Sequence, residues 1–198
     1  MYNQSLIEEI LKYHPKFSEK ELNAGLEFFE LEKFKVRDII IKQGKVAEYL
    51  YFAVSSITRC YLYDENGSEK TLWMEPEKMF ITDFESFIKG TASKYNLQFY
   101  EKTVVYLIKR KDLLWLYENY KDWAVLGIRL MEGYHIRILG LFEIMFHNDA
   151  TNNYKFIEQY FSRFLKVAPL KDIASMLNLS PVSLSRIRSG KQTKKVIS

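Results

Sequence analysis

The sequence predicts an α+β protein in three stages: an N-terminal antiparallel β-roll of jelly-roll type, one long helix, and a C-terminal helical unit. Three observations carry this. Apolar residues recur at strand period between residues 31 and 108 and at helical period on both sides of that stretch. Residues 120–147 keep one apolar seam in steps of four and three. Residues 169–191 place small, turn-forming and apolar residues at the spacing of a helix-turn-helix. The divisions fall at 1–119, 120–147 and 148–198.

The first thirty residues read as two short helices. Ser18 and Glu21 have the spacing of a capping box, and Leu22, Leu26 and Phe29 follow at helical intervals. Strands come next. Residues 36–41 are a β-branched run that ends in a turn at Gln43-Gly44-Lys45, and residues 50–54 and 57–63 follow. Asn66-Gly67 supplies the positive φ that closes a hairpin into residues 70–74. Short strands at 79–81, 95–100 and 104–108, with one helix near 83–88, complete a set suited to a roll. Helical period returns at 111–119 and runs through 120–147.

Along that last helix, Ala124, Ile128, Met131, His135, Ile138, Phe142 and Met145 form a heptad seam that two copies of the helix can share. Packing on its own roll is the alternative, since the other faces are also apolar. Gly127, Gly133 and Gly140 each cost about 1 kcal/mol relative to Ala inside a helix. They imply close approach of another backbone, or a hinge.

Composition narrows the class. Hydrophobic residues at 47% and charged residues at 27% are those of an ordinary globular protein, and 14 Tyr with 14 Phe supply a large core. Cys60 is the single cysteine, which excludes an internal disulfide framework, an iron–sulfur cluster and a Cys-type zinc site. The N-terminus lacks the basic-then-apolar order of a signal peptide, and no run approaches a membrane span, so a cytoplasmic protein with no membrane partner is expected. Residues 148–198 carry nine Lys or Arg against three acids, a balance of +6, whereas the first 147 residues stand at −2. A basic unit on a near-neutral body suits a polyanion partner.

In residues 169–191, Ala174 is the small residue at the helix crossing, and Ile173 and Leu177 line the first helix. Asn178 tolerates the left-handed turn position, and Leu179 plugs the turn. Ser180 and Pro181 read as N-cap and first-turn proline of the second helix, with Leu184 and Ile187 facing inward. The opposite face then offers Pro181, Val182, Ser183, Ser185, Arg186 and Arg188. Arg186 has the side chain to pair with guanine in a major groove; Arg188, Lys191, Lys194 and Lys195 suit phosphates.

With these residues in view, the whole chain resembles the cyclic-AMP receptor protein / fumarate-nitrate regulator (Crp/Fnr) family. The likeness covers the roll with its turn at Gln43-Gly44, the segment YFAVSSITRCYLYDENGSEKTL, the long helix and the terminal LSRIR. It implies a cyclic-nucleotide-binding-like sensor, a homodimer formed by the long helix, and a winged-helix-type reader. It further implies transcription regulation on double-stranded DNA, with RNA polymerase as a further partner. By this resemblance Ser180, Ser183 and Arg186 fall on DNA-contacting positions.

The sensor departs from the family's phosphate cassette. Thr82-Asp83 stands for Gly-Glu, and Ser93-Lys94-Tyr95 replaces the Arg-containing triplet. Thr82, Asp83, Ser93, Lys94 and Tyr95 are therefore the candidate effector pocket, but Lys94 lacks the planar fork that meets a cyclic phosphate. Tight binding of cyclic AMP is not expected, and the small-molecule effector stays unnamed. Ser56, where the family often has Gly, is a second departure. No cofactor is expected. His135 reads as a polar seam residue, and His14 and His147 as surface or helix-end residues, rather than as haem ligands. No metal site is expected either: residues 31–108 contain no histidine, which removes a cupin-type site. Phosphate-loop, nucleophile-elbow and zinc-protease motifs are absent, so enzyme activity is not expected. The alternative to a DNA reader is a ligand-sensing or protein-interaction module that has lost specific DNA binding.

Overall fold

A computed structural model describes residues 4–147 and 149–190, without the side chains of 143–147. Two helices open the chain, α1 (Gln4–Tyr13) and α2 (Glu19–Leu26). Eight strands follow, β1 (Glu30–Phe34), β2 (Ile39–Ile41), β3 (Tyr49–Ala53), β4 (Thr58–Tyr63), β5 (Glu69–Glu75), β6 (Met79–Ile81), β7 (Asn96–Phe99) and β8 (Thr103–Lys109). A short helix, α3 (Phe84–Lys89), interrupts them after β6. They pair antiparallel into two four-stranded sheets, ordered β1-β8-β3-β6 and β2-β7-β4-β5. Six helices complete the fold: α4 (Arg110–Asn119), α5 (Lys121–His147), α6 (Ala150–Tyr160), α7 (Ser162–Val167), α8 (Leu170–Met176) and α9 (Pro181–Arg188). The expected α+β architecture is present. Among the described residues no helix is long and apolar enough to cross a membrane.

Three local expectations are corrected. The run at 36–41 does not form one strand: Arg37 takes φ +72° and the Lys35 N–H donates to Asp38 at 2.6 Å, so the chain turns before β2. The strand ahead of it, β1, is charged and mostly exposed, because it is an edge strand paired only with β8. Ser18 precedes α2 but its side chain makes no capping bond. Asp122 of α5 accepts the Ser18 N–H at 2.7 Å and a His14 Nε2 contact at 3.0 Å, while Glu21 accepts the Asp122 N–H. The two groups of the expected box are thus spent on pinning α2 to the start of α5, and His14 is a bridging residue at a helix end. Finally, two of the three α5 glycines meet rings of their own chain rather than another backbone. A Cβ on Gly127 would lie 2.8 Å from the Tyr117 ring, and one on Gly133 would lie 3.1 Å from Tyr13, while Gly140 faces open space.

A bulge between Cys60 and Tyr61 shapes the β4–β5 pair, which matches Cys60 with Trp73 but Tyr61 with Thr71. Cys60 therefore enters the core of the roll, with Trp73 packed against it, while Met74 joins a second core on the opposite side. Into that second core come Ile57 and Tyr100 from the roll and Tyr154, Ile157, Phe164, Ile173, Leu184 and Ile187 from the C-terminal helices. One sheet thus has the sensor interior on one face and the helical unit on the other. On its own-chain side α5 buries Trp123 and Leu126, and the Trp123 indole donates to the Glu21 carbonyl.

Candidate functional site

Helix α9 is built as its sequence requires. Asn178 takes φ +54° in the turn, and the Leu179 N–H closes back onto the Ala174 carbonyl at 2.8 Å. The Ser180 side chain accepts the Ser183 N–H at 3.0 Å, and Pro181 occupies the first turn. Leu184 and Ile187 are buried, and Ala174 is fully enclosed at the helix crossing. Pro181, Val182, Ser185, Arg186 and Arg188 are exposed on one face, with Ser183 half-buried and its hydroxyl 2.8 Å from that of Ser180. Lys191, Lys194, Lys195 and any wing strand after α9 lie outside the described residues.

The seam residues divide. Ile128, Met131, His135 and Phe142 are exposed, Ala124 and Ile138 are half-buried, and the Met145 side chain lies outside the described residues. Ile136 and Leu139 are more open than Ile138, so the apolar stripe swings towards them over its second half. Beside its first half a groove of about 630 Å³ opens between α3, α4 and α5, lined by Phe84, Phe87, Leu113, Tyr117 and Met131 among others.

The effector candidates do come together, yet their polar groups are already taken, Asp83 and Ser93 by each other and the rest by neighbouring residues. Asp83 caps α3 by accepting the Ser86 N–H, and its second oxygen accepts the Ser93 hydroxyl at 2.7 Å. Thr82 donates to the Tyr49 carbonyl at 2.9 Å. Tyr95 lies edge-on to Trp73 with centroids 5.4 Å apart. Lys94 is exposed and pairs with Glu85 at 3.0 Å. The space bounded by Thr58, Trp73, Glu75, Thr82 and Tyr134 is about 10 Å³, the volume of one water. Glu75 and Arg137 of α5 form a two-pronged ion pair at its edge, and burial pushes the Tyr134 phenol up to about 12. These side chains do not offer a cyclic nucleotide a phosphate clamp. Cys60 is fully buried and its thiol is held up by burial, which keeps it inert. Ser56 is buried too, where its hydroxyl donates to the Ile57 carbonyl and accepts the Glu101 N–H. Among the described residues no cluster of His, Cys, Asp or Glu is arranged to hold a metal ion.

The residues that sequence reasoning missed lie between sheet and reader. Arg59 of β4 and Asp172 of α8 are each 1% exposed and meet at 3.2 Å. Tyr100, just past β7, donates its hydroxyl to Asp172 at 2.9 Å. Arg163 of α7 reaches back to Glu77, Glu101 and the Ser55 carbonyl. The available signal was an arginine alone in the otherwise apolar strand around ITRCYLY.

Residues 31–120, which run from β1 to the end of α4, match the family model described as the cyclic nucleotide-binding domain. Over the longer chain the fold is that of solved bacterial regulators. FixK2 from Bradyrhizobium japonicum is 16% identical with a TM-score of 0.64, over 82% of this chain and 83% of that one. The c-di-GMP-responsive global regulator CLP of Xanthomonas campestris is 13% identical with a TM-score of 0.63, over 87% and 91%. DNR from Pseudomonas aeruginosa is 20% identical with a TM-score of 0.56, over 96% and 88%. No curated protein is significantly similar to the chain in sequence. The family match thus covers residues 31–120, and beyond them the likeness to these proteins is one of fold.

Proposed function

We propose that this chain is a dimeric, sequence-specific DNA-binding transcription regulator of the Crp/Fnr type, whose sensor does not bind cyclic AMP tightly. The observation that carries the reading is α9: a capped, rigid helix whose exposed face combines Ser185, Arg186 and Arg188 and whose inner face is locked by Leu184 and Ile187. Arg186 is the base-reading residue, and Ser180, Ser183, Arg188 and Lys191 hold the backbone. Functionally, residues 1–119 sense, 120–147 join two copies, and 148–198 read DNA. The stripe of Ile128, Met131, Leu139 and Phe142 supports the dimer, because an apolar row this long on one helix gains from a second copy of itself. RNA polymerase is the partner through which such a dimer would act on transcription in the cytoplasm.

The test is a gel shift of the full chain on a palindrome selected from random DNA, at two salt concentrations. Specific binding should weaken with salt as counterions return, yet persist over competitor DNA. Binding that never discriminates sequence, with or without candidate effectors, removes the proposal in favour of a sensor that has lost DNA reading. For the sensor, a titration with cyclic AMP should show no dissociation constant below about 10 μM, equivalent to roughly −7 kcal/mol.

A further inference from the structure

The wall formed by β4 and β5 is one strand thick, and its two faces serve different units. Cys60 and Trp73 point into the roll, where Trp73 touches Tyr95 next to the Asp83–Ser93 pair. Strand alternation sends Arg59, Tyr61 and Thr71 to the other face, which α8 covers. There the Arg59 guanidinium is held on every side. Its Nε donates to Thr71 Oγ1 at 2.9 Å, and its Nη1 donates to Glu69 at 2.7 Å. The Nη2 pairs with Asp172 at 3.2 Å, and the Tyr61 ring lies 4.3 Å from the cation. Asp172 also accepts the Tyr100 hydroxyl and has Arg37 at 4.0 Å. Alongside, the Thr71 N–H donates to Ser175 of α8 at 3.0 Å.

Buried ion pairs contribute little net stability, because rehydrating the separated charges offsets most of their attraction; what they supply is geometry. This pair is satisfied in one docked orientation of α8 on the sheet. That orientation leaves Val182, Ser185, Arg186 and Arg188 exposed on α9, so docking orients the reading face without covering it.

We infer that Arg59, Asp172 and Tyr100 form a latch that positions the helix-turn-helix on the sensor sheet, and that its closure holds the two α9 helices of a dimer at the separation DNA reading needs. The inference rests on the proposed role of α9. Arg59 and Asp172 are positioning residues that touch no DNA. Because the bulge at Leu72 sets Trp73 and Thr71 on opposite faces of β5, a molecule that displaces Trp73 from inside the roll would move the strand that holds Arg59 through Thr71.

The experiment uses the full chain with spin labels on Glu65→Cys, in the β4–β5 turn, and Glu158→Cys on α6, both exposed. The unaltered latch should give one narrow distance distribution. Asp172→Asn keeps an acceptor for Tyr100 but removes the charge that ties Arg59 to α8, leaving Arg59 paired only within the sheet with Glu69, and should add a second, longer population. Its affinity for the selected palindrome should fall at least about tenfold as simultaneous engagement of both half-sites is lost. Affinity for a scrambled duplex should stay within about twofold, since no phosphate contact changes. The paired change Arg59→Met with Asp172→Leu closes the same contact with apolar groups and should restore the narrow distribution and most of the affinity. It also carries the test if Asp172→Asn fails to fold. An unchanged distance distribution in a folded Asp172→Asn chain overturns the latch. So does an open but folded double variant. A rise in palindrome affinity overturns the positioning role and makes the contact inhibitory. If the unaltered latch chain binds no DNA, the function proposed for α9 fails, and the distances still decide the latch.

Discussion

Two polar clusters flank the β4–β5 wall, and they use similar chemistry for different ends. Inside the roll, Asp83 and Ser93 lie ten residues apart and bond at 2.7 Å, tying a loop to the helix it caps. Outside, Arg59 and Asp172 lie 113 residues apart and bond at 3.2 Å across two units. The inner pair consolidates one neighbourhood and leaves about 10 Å³ beside it. The outer pair joins the sheet to the C-terminal helices, beside the apolar core and the Arg163 contacts that the two share. The difference shows that one buried carboxylate can be spent within its own loop and helix while another, paired with an arginine from a distant strand, spans two units.

The largest effect should come from breaking the seam on which both readers depend. Charged residues in place of Met131 and Ile138 should abolish the dimer in sedimentation and reduce palindrome binding by about a hundredfold or more. A monomer that still binds a palindrome tightly would remove α5 from the dimer. Next, Arg186→Ala should cost about 1–3 kcal/mol on the selected palindrome and relax preference at one base position, with a scrambled duplex almost unaffected. This change lies on the outer side of the wall and should leave melting unaltered. The inner cluster gives the converse: Ser93→Ala removes one bond to Asp83 and should lower stability by about 1–2 kcal/mol in denaturant melts, with DNA affinity unchanged once folded. A large loss of DNA affinity in that folded variant would mean that the two faces are coupled even without an effector.

The smallest effect concerns acid. The His14 contact and then the Ser18 N–H hold the Asp122 carboxyl below its usual range. A depressed carboxylate contributes its stability above the unfolded value of about 3.9 and loses it as pH falls through the lower folded value. The contact of α2 with α5 should therefore weaken only below about pH 4, and Asp122→Asn should flatten the stability profile there.

The reader was legible because its rules are local. Asn178, Ser180, Pro181, Leu184 and Ile187 act within one or two turns of each other, and each takes the conformation its chemistry favours. The strands after β2 were legible for the same reason, from their short apolar runs and from Asn66-Gly67. The capping box failed because a distant group competed for it: Asp122 lies 104 residues from Ser18 yet takes its N–H. Likewise, glycine at 127 reads as room for a backbone, and only packing reveals the Tyr117 ring that fills it.

By itself the sequence determined the order of the elements, helix α9 with its cap and exposed arginines, and the absence of any arginine from residues 82–95. These follow from dihedral preferences, periodicity and side-chain chemistry within a few residues. Tertiary structure alone decided that Asp83 and Ser93 satisfy each other, that Arg59 meets Asp172, and that one sheet separates the roll interior from the C-terminal helices. Those outcomes depend on which distant groups share a buried space, where a polar atom must find whichever partner folding brings to it.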